Sequence, residues 1–188
     1  MEFDKGLAWL TDNALSVLDF GCGSGTALFL CNKYGTDTHI GIDLSSQAIK
    51  SAIEKSKMIE NGNFQFLCGG IEALKGIRDE SMDYAILSNI IDNLYPDDAI
   101  SVLEEIKRIL KKNGKLLVKL NPFISDEQIE EYGIKKISGN LLDDGMILWN
   151  NTNEEWEDIL GARYSISDYV EIYYEESGQI NRMYLLTK

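Results

Sequence analysis

The run Val17-Leu18-Asp19-Phe20-Gly21-Cys22-Gly23-Ser24-Gly25 constrains this chain more than any other, because an apolar strand leads directly into a turn with glycine at every second position. Glycines tolerate positive φ and let the backbone approach a ligand closely, while the residues after Ser24 can open a helix whose first amides favour such a ligand. Strand, glycine turn and helix together predict a mononucleotide-binding βαβ unit. In such a unit a carboxylate follows about 20 residues beyond the glycines and takes ribose hydroxyls. Asp43, closing the strand-like run His39-Ile40-Gly41-Ile42, occupies that place.

Alternating segments continue through the first two thirds, which points to a parallel sheet with helices on both faces. Thr26 to Tyr34 reads as a helix, Ser45 or Ser46 caps a second running to about Met58, and Phe64-Gln65-Phe66-Leu67 is the third strand. Between Pro96 and Lys111 the residues Ala99, Val102, Leu103, Ile106, Ile109 and Leu110 recur at helical spacing, with Glu104 and Arg108 paired at i,i+4 and the helix ending at Asn113-Gly114. At the carboxyl end, Tyr169 to Tyr174 and Met183 to Leu186 flank a turn too short for a crossover helix, so an antiparallel hairpin is expected.

The glycine spacing separates two ligand families. Dinucleotide folds favour G-x-G-x-x-G, whereas here the glycines are 21, 23 and 25, Thr26 stands where the third glycine belongs, and Asp19 precedes the first by two residues. This pattern closely resembles motif I of class I methyltransferases that use S-adenosylmethionine. Gly41-Ile42-Asp43-Leu44-Ser45 is similar to the family's second motif and Met82 to Asn89 to its fourth. Ile109 to Val118 is similar to the turn into its fifth strand, with Asn113 in place of proline.

The resemblance implies an α/β three-layer sandwich: a seven-stranded, mostly parallel sheet with helices on both faces and an antiparallel C-terminal hairpin. It implies S-adenosylmethionine as cofactor and S-adenosylhomocysteine as product. Gly21, Cys22, Gly23 and Gly25 would meet the methionine portion, Asp19 its amino group directly or through water, Asp43 the ribose and Leu44 the adenine face. Gly70, Ile71 and Glu72 would meet the adenine edge, and Ser88 and Asn89 would lie near the transferred methyl. The family commonly carries an acid where this chain has Gly70; Glu72 is the nearby substitute.

Composition narrows partners and location. A formal net charge of −13 with no basic patch disfavours nucleic acid and anionic membranes. The chain has no apolar run of about 18 residues and no signal-peptide flank, so a cytoplasmic protein is expected. Three cysteines without C-x-x-C and a single histidine, His39, disfavour a metal site or a disulfide framework. His39, lying before the second strand and away from the crevice, is expected to be structural or exposed, and Cys22 to be a small residue beside the ligand rather than a nucleophile.

The chain is expected to be one domain over 1–188, monomeric or homodimeric, with 1–14 a short lid and 121–153 a substrate-recognition insertion. From Ser125 to Asp158 ten acids face Lys135 and Lys136 alone. Together with Tyr132, Trp149 and Trp156 as aromatic walls, these acids suit a small, cationic or amine-bearing methyl acceptor. Asp92, Asp144 and Tyr132 are the candidate catalytic residues. Asn121-Pro122-Phe123 is superficially similar to a motif of nucleobase amine methylation, but follows the fifth strand rather than the fourth. Two rival readings stand beside transfer: a cofactor-binding protein without activity, and a nicotinamide-dependent oxidoreductase.

Overall fold

A computed structural model describes residues 2–11, 15–143 and 145–188. Its centre is a seven-stranded sheet built from β1 (Ser16–Phe20), β2 (Thr38–Asp43), β3 (Asn63–Cys68), β4 (Met82–Ser88), β5 (Leu110–Leu120), β9 (Ser165–Tyr174) and β10 (Gln179–Thr187). The spatial order is β3-β2-β1-β4-β5-β10-β9. The first five run parallel, while β10 is antiparallel to both β5 and β9. The expected sheet and its terminal hairpin are therefore present.

Strand periodicity of two sorts the apolar residues onto two faces. Leu18, Ala85, Leu87, Leu116 and Val118 face α5 (Pro96–Ile109) and α7 (Asn153–Gly161), packing with Ile106, Trp156 and Leu160. Val17, Tyr84, Ile86 and Leu117 face α1 (Glu2–Leu10) and α2 (Thr26–Lys33), packing with Leu7, Leu10, Leu28 and Cys31. Thus the amino-terminal segment expected as a lid contains a helix whose Leu7 and Leu10 are fully buried. Gly6 lets it approach, since a Cβ there would lie 2.7 Å from Met183 Sδ.

The helix α3 (Ser46–Ser56) begins as expected at Ser45, whose Oγ accepts the Ala48 amide at 3.2 Å. Three expectations need correction. Glu104 and Arg108 do not pair; Glu104 accepts from Arg163 Nε at 2.7 Å, and Arg108 donates to Glu105 at 2.7 Å and to Asp79 at 2.5 Å. The i,i+3 neighbour Glu105 and partners from outside the helix, Asp79 and Arg163, replaced the i,i+4 pair. Helix α5 ends at Ile109, and Leu110 already pairs with Met82; Asn113, at φ 62, lies in an irregularity of β5. His39 lies inside β2, fully buried, with its ring stacked 4.3 Å from Phe64 and bonded to Thr36 Oγ1 at 2.7 Å. Burial keeps its pKa below the usual histidine value.

The 121–153 segment has structure of its own. It holds α6 (Asp126–Tyr132), opened by a Ser125–Gln128 capping box, and a small antiparallel sheet of β6 (Lys135–Ser138), β7 (Leu141–Asp143) and β8 (Ile147–Trp149). Ile129, Leu142 and Leu148 form a separate apolar cluster beneath it.

Candidate cofactor crevice and acceptor cleft

The glycine turn leaves β1 with Gly21, Gly23 and Gly25 at φ 81, 52 and 83, conformations that a side chain would strain. Their surroundings differ. A Cβ on Gly21 would lie 2.0 Å from Ile90 Cδ1, whereas a Cβ on Gly23 would meet nothing within 4 Å. Gly23 therefore borders open space at the carboxyl end of the sheet.

Asp43 ends β2 beside this turn. Its Oδ2 accepts the Gly23 amide and its Oδ1 the Ser45 amide, each at 2.8 Å. Each oxygen retains lone-pair capacity for a further donor. Asp19 lies below, 2% exposed, and its Oδ1 has no protein partner among the described residues. Burial, with the Asp43 charge adding to it, pushes the Asp19 carboxyl up to about 7. The same burial and the two carboxylates hold the Cys22 thiol far above its ordinary value, which argues against a nucleophile.

Leu44 projects into solvent with 78% of its surface exposed. Across from it, a Cβ on Gly70 would lie 3.4 Å from Leu44 Cδ2. Ile71 is partly buried against the core, while Glu72 is exposed and paired with Lys75 at 2.9 Å. Ser88 ends β4, and Asn89 follows at φ 56, an uncommon conformation for a residue with a side chain.

A second concavity of about 1140 Å³ lies farther along the sheet. Its wall comes from the segment after β5, from α6, from the start of α7 and from the β9–β10 hairpin; Asn93, Asn121, Tyr132, Glu154, Glu171 and Arg182 bring its polar groups. None of the residues at the glycine turn or around Asp43 and Gly70 lines it.

Asn121 joins the two sites and uses every polar group it has. Its amide donates to Asp92 Oδ2 at 2.6 Å, its carbonyl accepts from Arg182 Nε at 3.1 Å, and its Nδ2 donates to Asn93 Oδ1 at 2.9 Å. Its Oδ1 accepts from Asn89 Nδ2. Asp92, with no exposed surface, is an internal member of this network, and burial raises its pKa. The neighbouring Asn93 reaches the cleft instead.

Of the other candidates, Tyr132 is 65% exposed and lines the cleft. Asp144 lies outside the described residues. The expected aromatic walls are only partly realised: Trp156 is fully buried, 5.0 Å from Trp149, because α7 docks it in the core. Trp149 lines a smaller groove with Tyr95. Arg182 had no local signal beyond being a charge within an apolar strand, and Asn121 was masked by its likeness to an unrelated motif.

Comparison with known proteins agrees with this geometry. Over 104 residues the chain is 32% identical to a ribosomal protein L11 methyltransferase of Thermosipho melanesiensis, covering 55% of this chain and 37% of that protein. Over 176 residues it is 26% identical to a tRNA N(3)-methylcytidine methyltransferase of Schizosaccharomyces pombe, covering 88% and 57%. The chain thus spans about a third to just over half the length of these relatives. In fold it matches a crystal structure of a SAM-dependent methyltransferase from Methanosarcina mazei, with TM-score 0.77, 21% identity and coverage of 94% and 93%. It also matches the N-methyltransferase NodS of Bradyrhizobium japonicum in complex with S-adenosylhomocysteine, with TM-score 0.73, 14% identity and coverage of 100% and 86%. A methyltransferase-domain family model matches residues 11–156, and the chain belongs to that methyltransferase family.

Proposed function

We propose that this chain is an S-adenosylmethionine-dependent methyltransferase that holds the cofactor over the glycine turn and delivers its methyl to a small molecule in the adjoining cleft. The observation that carries this reading is the pairing of Asp43, anchored by the Gly23 and Ser45 amides, with a buried carboxyl oxygen on Asp19 that no protein group satisfies. A ribose diol would find acceptors on Asp43, and an α-ammonium would complete Asp19. The open space at Gly23 admits the methionine portion and the bare face of Leu44 suits adenine.

The cofactor supplies an activated methyl on a sulfonium, so the acceptor's lone pair is the only nucleophile required. The chain's contribution is alignment and exclusion of water rather than covalent chemistry. Ser88 and Asn89 at the end of β4 stand between crevice and cleft, and Asn121 fixes Asn89 to the cleft floor. Asp92 acts through Asn121 as a positioning residue, and Tyr132 and Asp144 are the groups to test at the cleft mouth. We take 1–188 as one domain, with 121–153 supplying recognition of the acceptor. A small acceptor is supported by the concave, side-chain-lined cleft, which has room for a small ligand, and by the acidic balance of the chain. Among the described residues, no helix is long and apolar enough to cross a membrane.

Isothermal titration calorimetry with S-adenosylmethionine, S-adenosylhomocysteine and NADH tests the core of this reading. Micromolar binding of the first two is expected, at least tenfold weaker in Asp43→Ala, which loses the Gly23 and Ser45 hydrogen bonds and should melt lower while still folded by circular dichroism at the assay temperature. A response to NADH alone would overturn it. Gly70 favours the second reading, binding without transfer, because it withholds the acid usual at the adenine edge. Binding without methyl transfer across a broad metabolite screen would support that reading.

A further inference from the structure

The floor of the cleft carries a cation whose contacts are all neutral, with the buried Asp92 carboxylate, on the far side of the Asn121 backbone it shares, as an opposite charge nearby. Arg182 is 4% exposed and lines the cleft. Its Nε donates to Asn121 O at 3.1 Å, and its Nη1 donates to Asn151 O at 2.8 Å and to Asn153 Oδ1 at 3.2 Å. These are uncharged oxygens from two segments, the residue after β5 and the turn into α7, and they hold the guanidinium plane in one orientation. Nη2, which carries two further N–H groups, is buried with no partner among the described residues. A guanidinium cannot shed its charge; Asp92 offsets part of it from a distance, but no anion is bonded to Nη2, and that unmade bond is costly.

The register of the hairpin makes this arrangement informative. Arg182 on β10 pairs directly with Glu171 on β9, which puts both side chains on one face about 5 Å apart at Cβ. An ion pair would be the ordinary outcome. Instead the guanidinium turns inward to the asparagines, and Glu171, exposed, accepts from Tyr169 Oη at 3.2 Å. Glu154 lines the same cleft from the start of α7. The cleft therefore has a positive pole at its floor and carboxylates on its wall, Arg182 being held to the asparagines and Glu171 to Tyr169.

We propose that the acceptor is a zwitterion, a small amino acid-like molecule whose carboxylate docks against the Arg182 guanidinium, drawing the buried Nη2 to the cleft floor, while its amine faces Glu171 and Glu154. This rests on the methyltransferase reading and narrows its substrate class. Charge complementarity at both ends discriminates against molecules that carry only one of the two groups, because each leaves a charged group of the cleft without its partner.

The test is calorimetry on the protein saturated with S-adenosylhomocysteine, titrated with a panel of α- and ω-amino acids. Each is accompanied by its amide, which lacks the anion, and by the corresponding alkanoate, which lacks the amine; inorganic phosphate forms a separate arm. At least one amino acid should bind tenfold or more tighter than both its amide and its alkanoate. R182M should erase the difference between acid and amide, and E171Q should reduce the preference for the amine. The comparison in the wild-type protein decides the matter even where R182M does not fold. Amides binding as well as acids, no binding by any amino acid, or phosphate competing fully with removal of the amine costing nothing would each overturn the proposal. Failure of S-adenosylhomocysteine itself to bind would instead overturn the transferase reading, and the proposal with it.

Discussion

Asp19 makes the proposed cofactor site sensitive to pH. Its carboxyl, ordinarily at 3.8, is pushed up to about 7 by burial, with the Asp43 charge adding. Below 3.8 the folded and unfolded forms both hold the proton, and the neutral carboxyl keeps its full contribution to stability. As pH rises towards 7 the unfolded chain ionises first, so the folded state loses stability, by about 4 kcal/mol for a shift of about three units. Asp19→Asn lacks this titration, so unfolding in urea between pH 5 and 8.5 should show the wild type falling relative to the variant. Binding should change in the opposite direction, because a ligand ammonium favours ionised Asp19. For a carboxyl titrating near 7, S-adenosylhomocysteine should bind roughly tenfold more weakly at pH 6 than at pH 8, about 1.4 kcal/mol. 5′-Methylthioadenosine, which has no amino-acid end, should show no such slope. Calorimetry across that range is the assay. An affinity for S-adenosylhomocysteine that is flat with pH, or a slope that survives in Asp19→Asn, would refute the reasoning.

Gly70→Asp should be accommodated, since φ is −102 and the new Cβ would lie in ordinary contact with Leu44; binding of S-adenosylhomocysteine should tighten about fivefold, roughly 1 kcal/mol, by calorimetry. Iodoacetamide at pH 8 should modify exposed Cys68 and spare Cys22 and Cys31, whose thiols burial holds far up, with Cys31 at about 12; mass spectrometry of the peptides reads the difference. Trp156→Ala should lower stability by about 3–5 kcal/mol in urea unfolding, because the ring is fully buried between α7 and the sheet.

The elements whose signals are local were legible in the residues. The strand of Val17 to Phe20 alternates between two buried faces, Ser45 caps α3, and the short link between β9 and β10 leaves no room for a crossover. Each follows from periodicity or from sterics within a few positions. The side-chain partnerships were less legible. Arg108 has an acid at both preceding helical spacings, Glu104 and Glu105, and the structure selects Glu105 together with Asp79 by where α5 meets the turn before β4. Trp156 reads as a binding aromatic until α7 is docked, and Asp92 as a substrate contact until the loop after β4 folds under Asn121.

The sequence by itself determined the parallel βαβ core, the glycine turn with Asp19 and Asp43 at its margins, and the antiparallel finish, because these rest on backbone freedom and strand alternation close along the chain. Only the tertiary structure decided what the cleft offers a substrate. Arg182 owes its orientation to Asn151 and Asn153, 31 and 29 positions away, and to Asn121 at 61. An unsatisfied guanidinium hydrogen is a property of that whole arrangement and of no segment within it.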